Sequence, residues 1–309
     1  MKPPRLKLAR RPTPLEPFPL DGERTVLIKR DDLTGVGLSG NKVRKLDYLL
    51  AEAQGVRRVV TCGGVNSNHA RATAIACAQL GLKCRLVLRG EDRRPPTGNL
   101  LLSRYVGADV RFISPDEWKN VDAIMAEEAG EDAYVIPEGG SNGLGCLGYV
   151  DAAVEILDVL GTRLSRVVHA VGSGGTTAGL ALGMARARRD DVEVLGVCVC
   201  DDAAYFDRRI RTILDDALSR GLATEAEVKA ARWRIEENFV GPGYAQTDET
   251  AMVELRGLAR RGLILDPVYS GKAFRALSTL PGVEGDTVFI HTGGIFELFA
   301  FADRIEGSS

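Results

Sequence analysis

The sequence predicts an α/β fold with mostly parallel strands flanked by helices, and three observations carry that prediction. Short β-branched runs alternate with stretches whose apolar residues recur every three or four positions. The runs are apolar almost throughout, as strands covered on both faces require. Glycine clusters follow several of them, where parallel strands hand over to helices and ligands bind. Strands are expected at 25–30 (TVLIKR), 57–63 (RRVVTCG), 84–90 (CRLVLRG) and 108–114 (ADVRFIS). Four more are expected at 133–139 (AYVIPEG), 166–172 (RVVHAVG), 192–200 (VEVLGVCVC) and 287–293 (TVFIHTG). Between them, HARATAIACAQLG (69–81) has helical spacing. A closed barrel would space its strands and glycine clusters more evenly, so an open sheet is expected.

Bulk properties narrow the function. The 309 residues allow one large domain or two of ordinary size. A net charge of −2 and an isoelectric point near 6.0 speak against nucleic-acid or membrane-surface partners. No run reaches the ~18 apolar residues of a membrane helix. The start, MKPPRLKLARRPTPLEPFP, lacks the apolar core and cleavage site of a signal peptide. Cys62, Cys77, Cys84, Cys146, Cys198 and Cys200 form no C-x-x-C pair and sit among apolar neighbours. Reduced, buried thiols in a cytoplasmic protein are therefore expected. His69, His169 and His291 show no paired Cys/His spacing, so no metal site is expected.

The glycine clusters CGGVNSNH, PEGGSNGLGCLG, GSGGTTAG and HTGG, rich in hydroxyl and amide side chains, suggest one shared pocket. GVGLSG (35–40) matches G-x-G-x-x-G through Gly35, Gly37 and Gly40. The residues DDLT separate it from its strand, and a dinucleotide turn needs its glycines tight against the strand, so it reads as a chance match. In AVGSGGTTAGL, a strand runs through Gly172, Ser173, Gly174, Gly175 and Thr176 into a helix from about Thr177. Backbone amides and a helix N-terminus there suit a single phosphate, and the Gly-Lys-Ser/Thr ending of a triphosphate loop is missing. In GGVNSNHAR, capping explains Ser67 or Asn68 alone; Asn66, Ser67 and Asn68 together suggest a polar pocket wall.

In LSGNKVRKLDYLL, Asn41 is expected to cap a helix that begins at Lys42 and buries Leu46, Leu49, Leu50 and Ala53. An ammonium there, with Arg44 and Lys45 close by, is destabilised relative to the free amine, as an imine-forming lysine needs. Arg44 and Lys45 themselves read as surface or supporting charges.

IKRDDLTGVGLSGNKVRKLDYLL, GGVNSNHARATA, IPEGGSNGLGCLGYVDAAVEI, GSGGTTAGLALG, GPGYAQ, LDPVYSGKAF and FIHTGG together resemble one family, in order and over nearly the whole chain. It is the family of 1-aminocyclopropane-1-carboxylate deaminases and D-cysteine desulfhydrases, pyridoxal-phosphate enzymes of the tryptophan synthase β-like fold. The resemblance implies two open, twisted, mostly parallel sheets flanked by helices. Residues 1–42 and 155–309 would form a large domain and 43–154 a smaller α/β domain, with the cofactor between them. Lys42 would hold pyridoxal 5'-phosphate as an imine, Asn68 would contact its 3-oxygen, and Gly172–Thr176 would hold its phosphate. Ser67, Tyr244 and Tyr269 join Lys42 as catalytic candidates. Asn66, Ser67, His69, Tyr244 and Tyr269 form the substrate-binding set.

Ser270 falls where the residue facing the ring nitrogen sits in that family. The ring-opening deaminases carry glutamate there and the desulfhydrases threonine, so a serine points to β-elimination. A hydroxyl gives a weaker electron sink, which suffices when a good leaving group departs. The resemblance therefore implies conversion of D-cysteine to pyruvate, hydrogen sulfide and ammonia by a cytoplasmic homodimer. The alternatives are deamination of aminocyclopropanecarboxylate to 2-oxobutanoate and ammonia, elimination from cysteate, D-serine or chloroalanine, or a non-catalytic phosphate-ligand binder. Asn66, the stretch Ile295–Glu297, and Asp201 with Asp202 depart from the family pattern.

Overall fold

The computed structural model describes residues 3–306, save 21, 23, 54 and 242. The chain runs β1 (Leu15–Pro19), β2 (Thr25–Lys29), α1 (Asn41–Glu52), β3 (Arg58–Gly64), α2 (Asn68–Gln79) and β4 (Lys83–Arg89). It continues through α3 (Gly98–Tyr105), β5 (Asp109–Ile113), α4 (Val121–Ala129), β6 (Ala133–Val135) and α5 (Leu147–Leu160). Then come β7 (Leu164–Val171), α6 (Gly175–Arg186), β8 (Glu193–Cys198), α7 (Ala203–Ser219) and α8 (Glu225–Ala230). The last elements used below are β9 (Arg234–Glu236), α9 (Glu249–Arg260), α10 (Ser270–Thr279) and β10 (Asp286–Ile290).

The strands form two open sheets. One has six strands in the order β1-β2-β10-β7-β8-β9, parallel except for the antiparallel β1–β2 pair. The other has four parallel strands in the order β5-β4-β3-β6. All eight expected strands are present, and the open mostly parallel α/β class is borne out. β1 and β9 were not expected. β1 carries Pro17 and Pro19, and its edge position tolerates residues that cannot donate to a ladder.

The central strands are buried on both faces. Val167 and Val288 pack with Tyr149, Ile156 and Leu180 on one side of the six-stranded sheet. Val168, Leu195 and Phe289 pack with Leu255, Phe274 and Leu277 on the other. Every parallel strand points its carboxyl end toward a loop, and the four glycine clusters lie on those loops. All six cysteines are unpaired thiols, five of them buried. Among the described residues, no helix is long and apolar enough to cross a membrane.

Two expectations about α1 need correction. The helix starts at Asn41 with Gly40 as its N-cap, because Asn41 turns its amide to Thr176 instead of capping. Gly40 has φ 101°, and a Cβ there would lie 2.7 Å from the Thr292 carbonyl, so only glycine lets α1 start against the end of β10. The helix is also not amphipathic in the expected way. Leu46, Leu49, Leu50 and Ala53 are buried, but so are Arg44, Lys45, Asp47 and Tyr48.

Candidate active site

The glycine loops leaving β3, β6, β7 and β10 meet in one cavity between the two sheets. Lys42, Ser67, Asn68, His69, Gly172, Ser173, Gly174, Thr176, Tyr244 and Tyr269 all line it, as does Glu138. The sequence-predicted set is thus brought together, with three exceptions of position. Asn66 lines an adjoining mouth with Arg89 and Glu297. Gly175 is the first residue of α6, behind the loop, where a Cβ would lie 2.8 Å from the Lys45 amine. Ser270 is fully buried and turned aside, and Asp266 lines the cavity instead.

Lys42 is half-buried, and its amine has no hydrogen-bond partner among the described residues. Burial pushes its pKa down to about 8, against a smaller opposing effect of Glu138. The cause is burial and not the helix N-terminus with its neighbouring cations, and Arg44 in particular brings no free charge. Its guanidinium is 0 % exposed and bound to Asp31 and Glu155 at 2.8 Å, so its charge is cancelled where it lies. Lys45 is not a surface charge either. Its amine donates to Gly139 O at 3.1 Å and to Ser141 Oγ at 2.9 Å, and burial holds its pKa well below the ordinary value.

The N-termini of α2 and α6 open onto the cavity that Lys42 lines. α6 begins behind Gly174, whose φ of 81° turns the loop so that free amides and the Ser173 hydroxyl line the space. Ser173 Oγ is hydrogen-bonded to Ser141 Oγ at 2.8 Å, which links the loop to Lys45. α2 begins behind Ser67, whose Oγ accepts from Ala70 N at 3.2 Å. Its own proton remains free to donate. The α10 N-terminus, in contrast, is satisfied internally. Asp266 accepts from the amides of Val268, Tyr269 and Ser270 at 2.6–2.9 Å, and the Ser270 hydroxyl donates to the same carboxylate.

Tyr244 and Tyr269 share one hydrogen bond, Oη to Oη 2.7 Å, and burial holds both phenols in the neutral form. His69 is buried and neutral, with Nε2 2.9 Å from Thr61 Oγ1 rather than paired to Ser67. Asp201 and Asp202 are exposed and do not line the cavity. Asp202 caps α7 through Tyr205 N, and Asp201 reaches the cavity only as a negative charge that adds to burial in raising the pKa of Glu138. The chance reading of GVGLSG also holds: the Gly37 and Ser39 carbonyls accept from Arg71, and no anion-binding turn forms.

An amine with a lowered pKa, a glycine loop at a helix N-terminus and an amide donor at Asn68 fit an aldehyde that carries a phosphate and a phenolic oxygen. Together with the two open sheets, they define the class of fold type II pyridoxal-phosphate enzymes. The chain belongs to the family described as "Pyridoxal-phosphate dependent enzyme", whose model matches residues 6–293. A Thermotoga maritima protein named for 1-aminocyclopropane-1-carboxylate deaminase is 42% identical, covering 97% of this chain and 99% of its own. A D-cysteine desulfhydrase from Klebsiella pneumoniae is 38% identical, covering 96% of each. The crystal structure of an "ACC deaminase homologue" superposes with a TM-score of 0.87 at 36% identity, over 99% of this chain and 96% of that one.

Sequence reasoning missed Asp266, Glu138, Lys45 and Glu297 as cavity or near-cavity residues. Asp266 lies in LDPVYSGKAF, Glu138 in PEGGSNGLGCLG and Glu297 in a departure from the family pattern, so the sequence carries a signal for these three. Lys45 gave none, because its partners Gly139 and Ser141 lie more than ninety residues away in the sequence.

Proposed function

We propose that this pyridoxal-phosphate lyase eliminates the β-substituent of an amino acid, D-cysteine first, to give pyruvate, hydrogen sulfide and ammonia. The observation that carries the reading is Lys42: an unpartnered amine with a pKa near 8, in the cavity onto which the α2 and α6 N-termini open. The α6 end, with Ser173, Thr176 and Lys45 behind it, seats the cofactor phosphate. The α2 end, with the free proton of Ser67 Oγ, seats the substrate carboxylate. Pyridoxal phosphate, bound through Lys42, supplies the sink for the electron pair left when the Cα proton departs.

Lys42 Nζ is the base for that proton. Ser67 lacks an activating partner, because His69 is bound to Thr61. The Cβ–sulfur bond then breaks with its electron pair on sulfur. Of the two protons of the Tyr244–Tyr269 pair, one is held between them, so the pair offers the other to the departing sulfide. Ser270 itself brings no carboxylate, but Asp266 beside it lines this end of the cavity, so the choice of elimination over ring opening rests on the family pattern at Ser270 and not on the charge of this wall. The Klebsiella pneumoniae relative's name supports the same substrate. Deamination of aminocyclopropanecarboxylate is the second reading, favoured by the name of the Thermotoga maritima relative. A homodimer in the cytoplasm belongs to the same picture and rests on the family resemblance alone.

The test has two parts. Purified protein mixed with pyridoxal phosphate is expected to show a visible imine band, and Lys42→Ala to lack it. Product release is then compared for D-cysteine, L-cysteine and aminocyclopropanecarboxylate. Turnover of the last alone would replace the elimination reading with the second one, and the absence of any band would end both.

A further inference from the structure

A single polar chain fixes which way Asn68 faces the cavity. It starts at Arg71, which is 0 % exposed, stacked 5.1 Å over the Phe296 ring and without any carboxylate partner among the described residues. Its guanidinium donates to Gly37 O, Ser39 O and Asn99 Oδ1, the last at 3.2 Å. A guanidinium can only donate, so Asn99 must turn its oxygen toward Arg71. The Asn99 amide nitrogen then faces the other way, donating to Asn66 O at 2.7 Å and to Asn68 Oδ1 at 3.0 Å. A backbone carbonyl can only accept, which enforces the same orientation from the second side. Asn68 therefore has its oxygen occupied and its Nδ2 pointing onward. One N–H goes to Glu297 Oε2 at 3.2 Å; the other has no partner among the described residues, and Asn68 lines the cavity.

We propose that Asn99 is a positioning residue that sets the polarity of Asn68, so that Asn68 presents an N–H donor, and not its carbonyl, to the phenolic oxygen of the cofactor. This rests on the reading of the cavity as a pyridoxal-phosphate site. Asn99 is 1 % exposed, and α3 holds it at the back of the loop between β3 and α2. It does not itself line the cavity. Its whole effect passes through one side-chain amide, which would otherwise be free to turn over.

Asn99→Asp separates polarity from packing. The variant keeps an acceptor for Arg71, gives that buried guanidinium a carboxylate, and removes both donors. Asn68 then turns its nitrogen to the new carboxylate and its oxygen to the cavity. The apoprotein is titrated with pyridoxal phosphate and with its 3-deoxy analogue, which lacks the phenolic oxygen. Wild type is expected to bind pyridoxal phosphate at least about tenfold more tightly than the analogue, the scale of a hydrogen bond to a charged acceptor. Asn99→Asp is expected to lose that preference while binding the analogue as wild type does. Should Asn99→Asp fail to fold, Asn99→Ala, which offers Asn68 no donor, is read in the same way. Equal weakening toward both compounds, or an unchanged preference, overturns the proposal. Failure of wild type to bind pyridoxal phosphate at all would instead overturn the reading on which it rests.

Discussion

Arg44 is the residue whose surroundings change its meaning most. It binds Asp31 through Nε and Nη2 and Glu155 through Nη1 and Nη2, all at 2.8 Å, and it reaches Thr13 Oγ1 at 3.0 Å. Tyr149 donates to the same Asp31 at 2.5 Å, and Lys29 to the same Glu155 at 2.7 Å. The cluster ties α1 to β2 and α5. Removing its central cation leaves Asp31 buried without an ion-pair partner. Arg44→Met is therefore expected to cost about 3–5 kcal/mol in urea unfolding. A loss under about 1 kcal/mol, the worth of an exposed pair, would show that the cluster contributes little. Sequence reasoning picked out Lys42 because Gly40 and Asn41 marked a helix start beside a glycine-rich loop. It could not see Arg44 for what it is, since Glu155 lies 111 positions away and only the fold brings it near.

At the scale of elements, eight strands were legible, β5 and β6 at the edges of the four-stranded sheet among them, while β1 and β9 at the edges of the six-stranded sheet were not. A strand covered on both faces must be apolar throughout, and eight runs carried that signal. β1, reading LEPFP, is broken by two prolines, and β9, reading RIE, is three residues long with a charge at each end, so neither carries it. Helix contacts were equally silent, because they depend on small residues whose role appears only in pairs. Gly148, in the first turn of α5, is such a residue. A Cβ there would lie 2.9 Å from Lys45 N and closer still to the Arg44 carbonyl. Backbone cannot yield as a side chain can, so Gly148→Ala must push α1 and α5 apart. The expected loss is about 1–3 kcal/mol, read as a lower urea midpoint at constant slope. Lys45 should move away from Ser141 in the same variant, with weaker retention of cofactor. A midpoint equal to wild type would mean that the helices do not meet as closely as described.

For the whole molecule, the buried histidine of the six-stranded sheet makes stability depend on pH. His169 sits on β7, fully buried, with Nδ1 donating to Ala170 O at 2.9 Å and Nε2 3.2 Å from Thr177 Oγ1 on α6. Burial first, and the cations Lys45 and Lys42 after it, lower its pKa from 6.5 to about 4. The unfolded chain thus binds a proton in a range where the folded one does not. Its contribution is fully present above pH 6.5 and is lost as the pH falls toward 4. Between about pH 7.5 and about pH 5 this amounts to roughly 2 kcal/mol. His69 acts in the same direction, while Glu138, Asp47 and Glu297, raised by burial, act in the opposite one. Asp31 and Glu155 are lowered and enter only below the ordinary carboxylate range. All of these are shared by wild type and His169→Gln, so they cancel in a comparison. Glutamine keeps a donor and an acceptor but takes up no proton. Unfolding both proteins in urea at the two pH values should show wild type losing about 2 kcal/mol more than the variant over this interval. Equal losses would mean that His169 is protonated within the fold, and that the sheet is wetter at β7 than its burial implies.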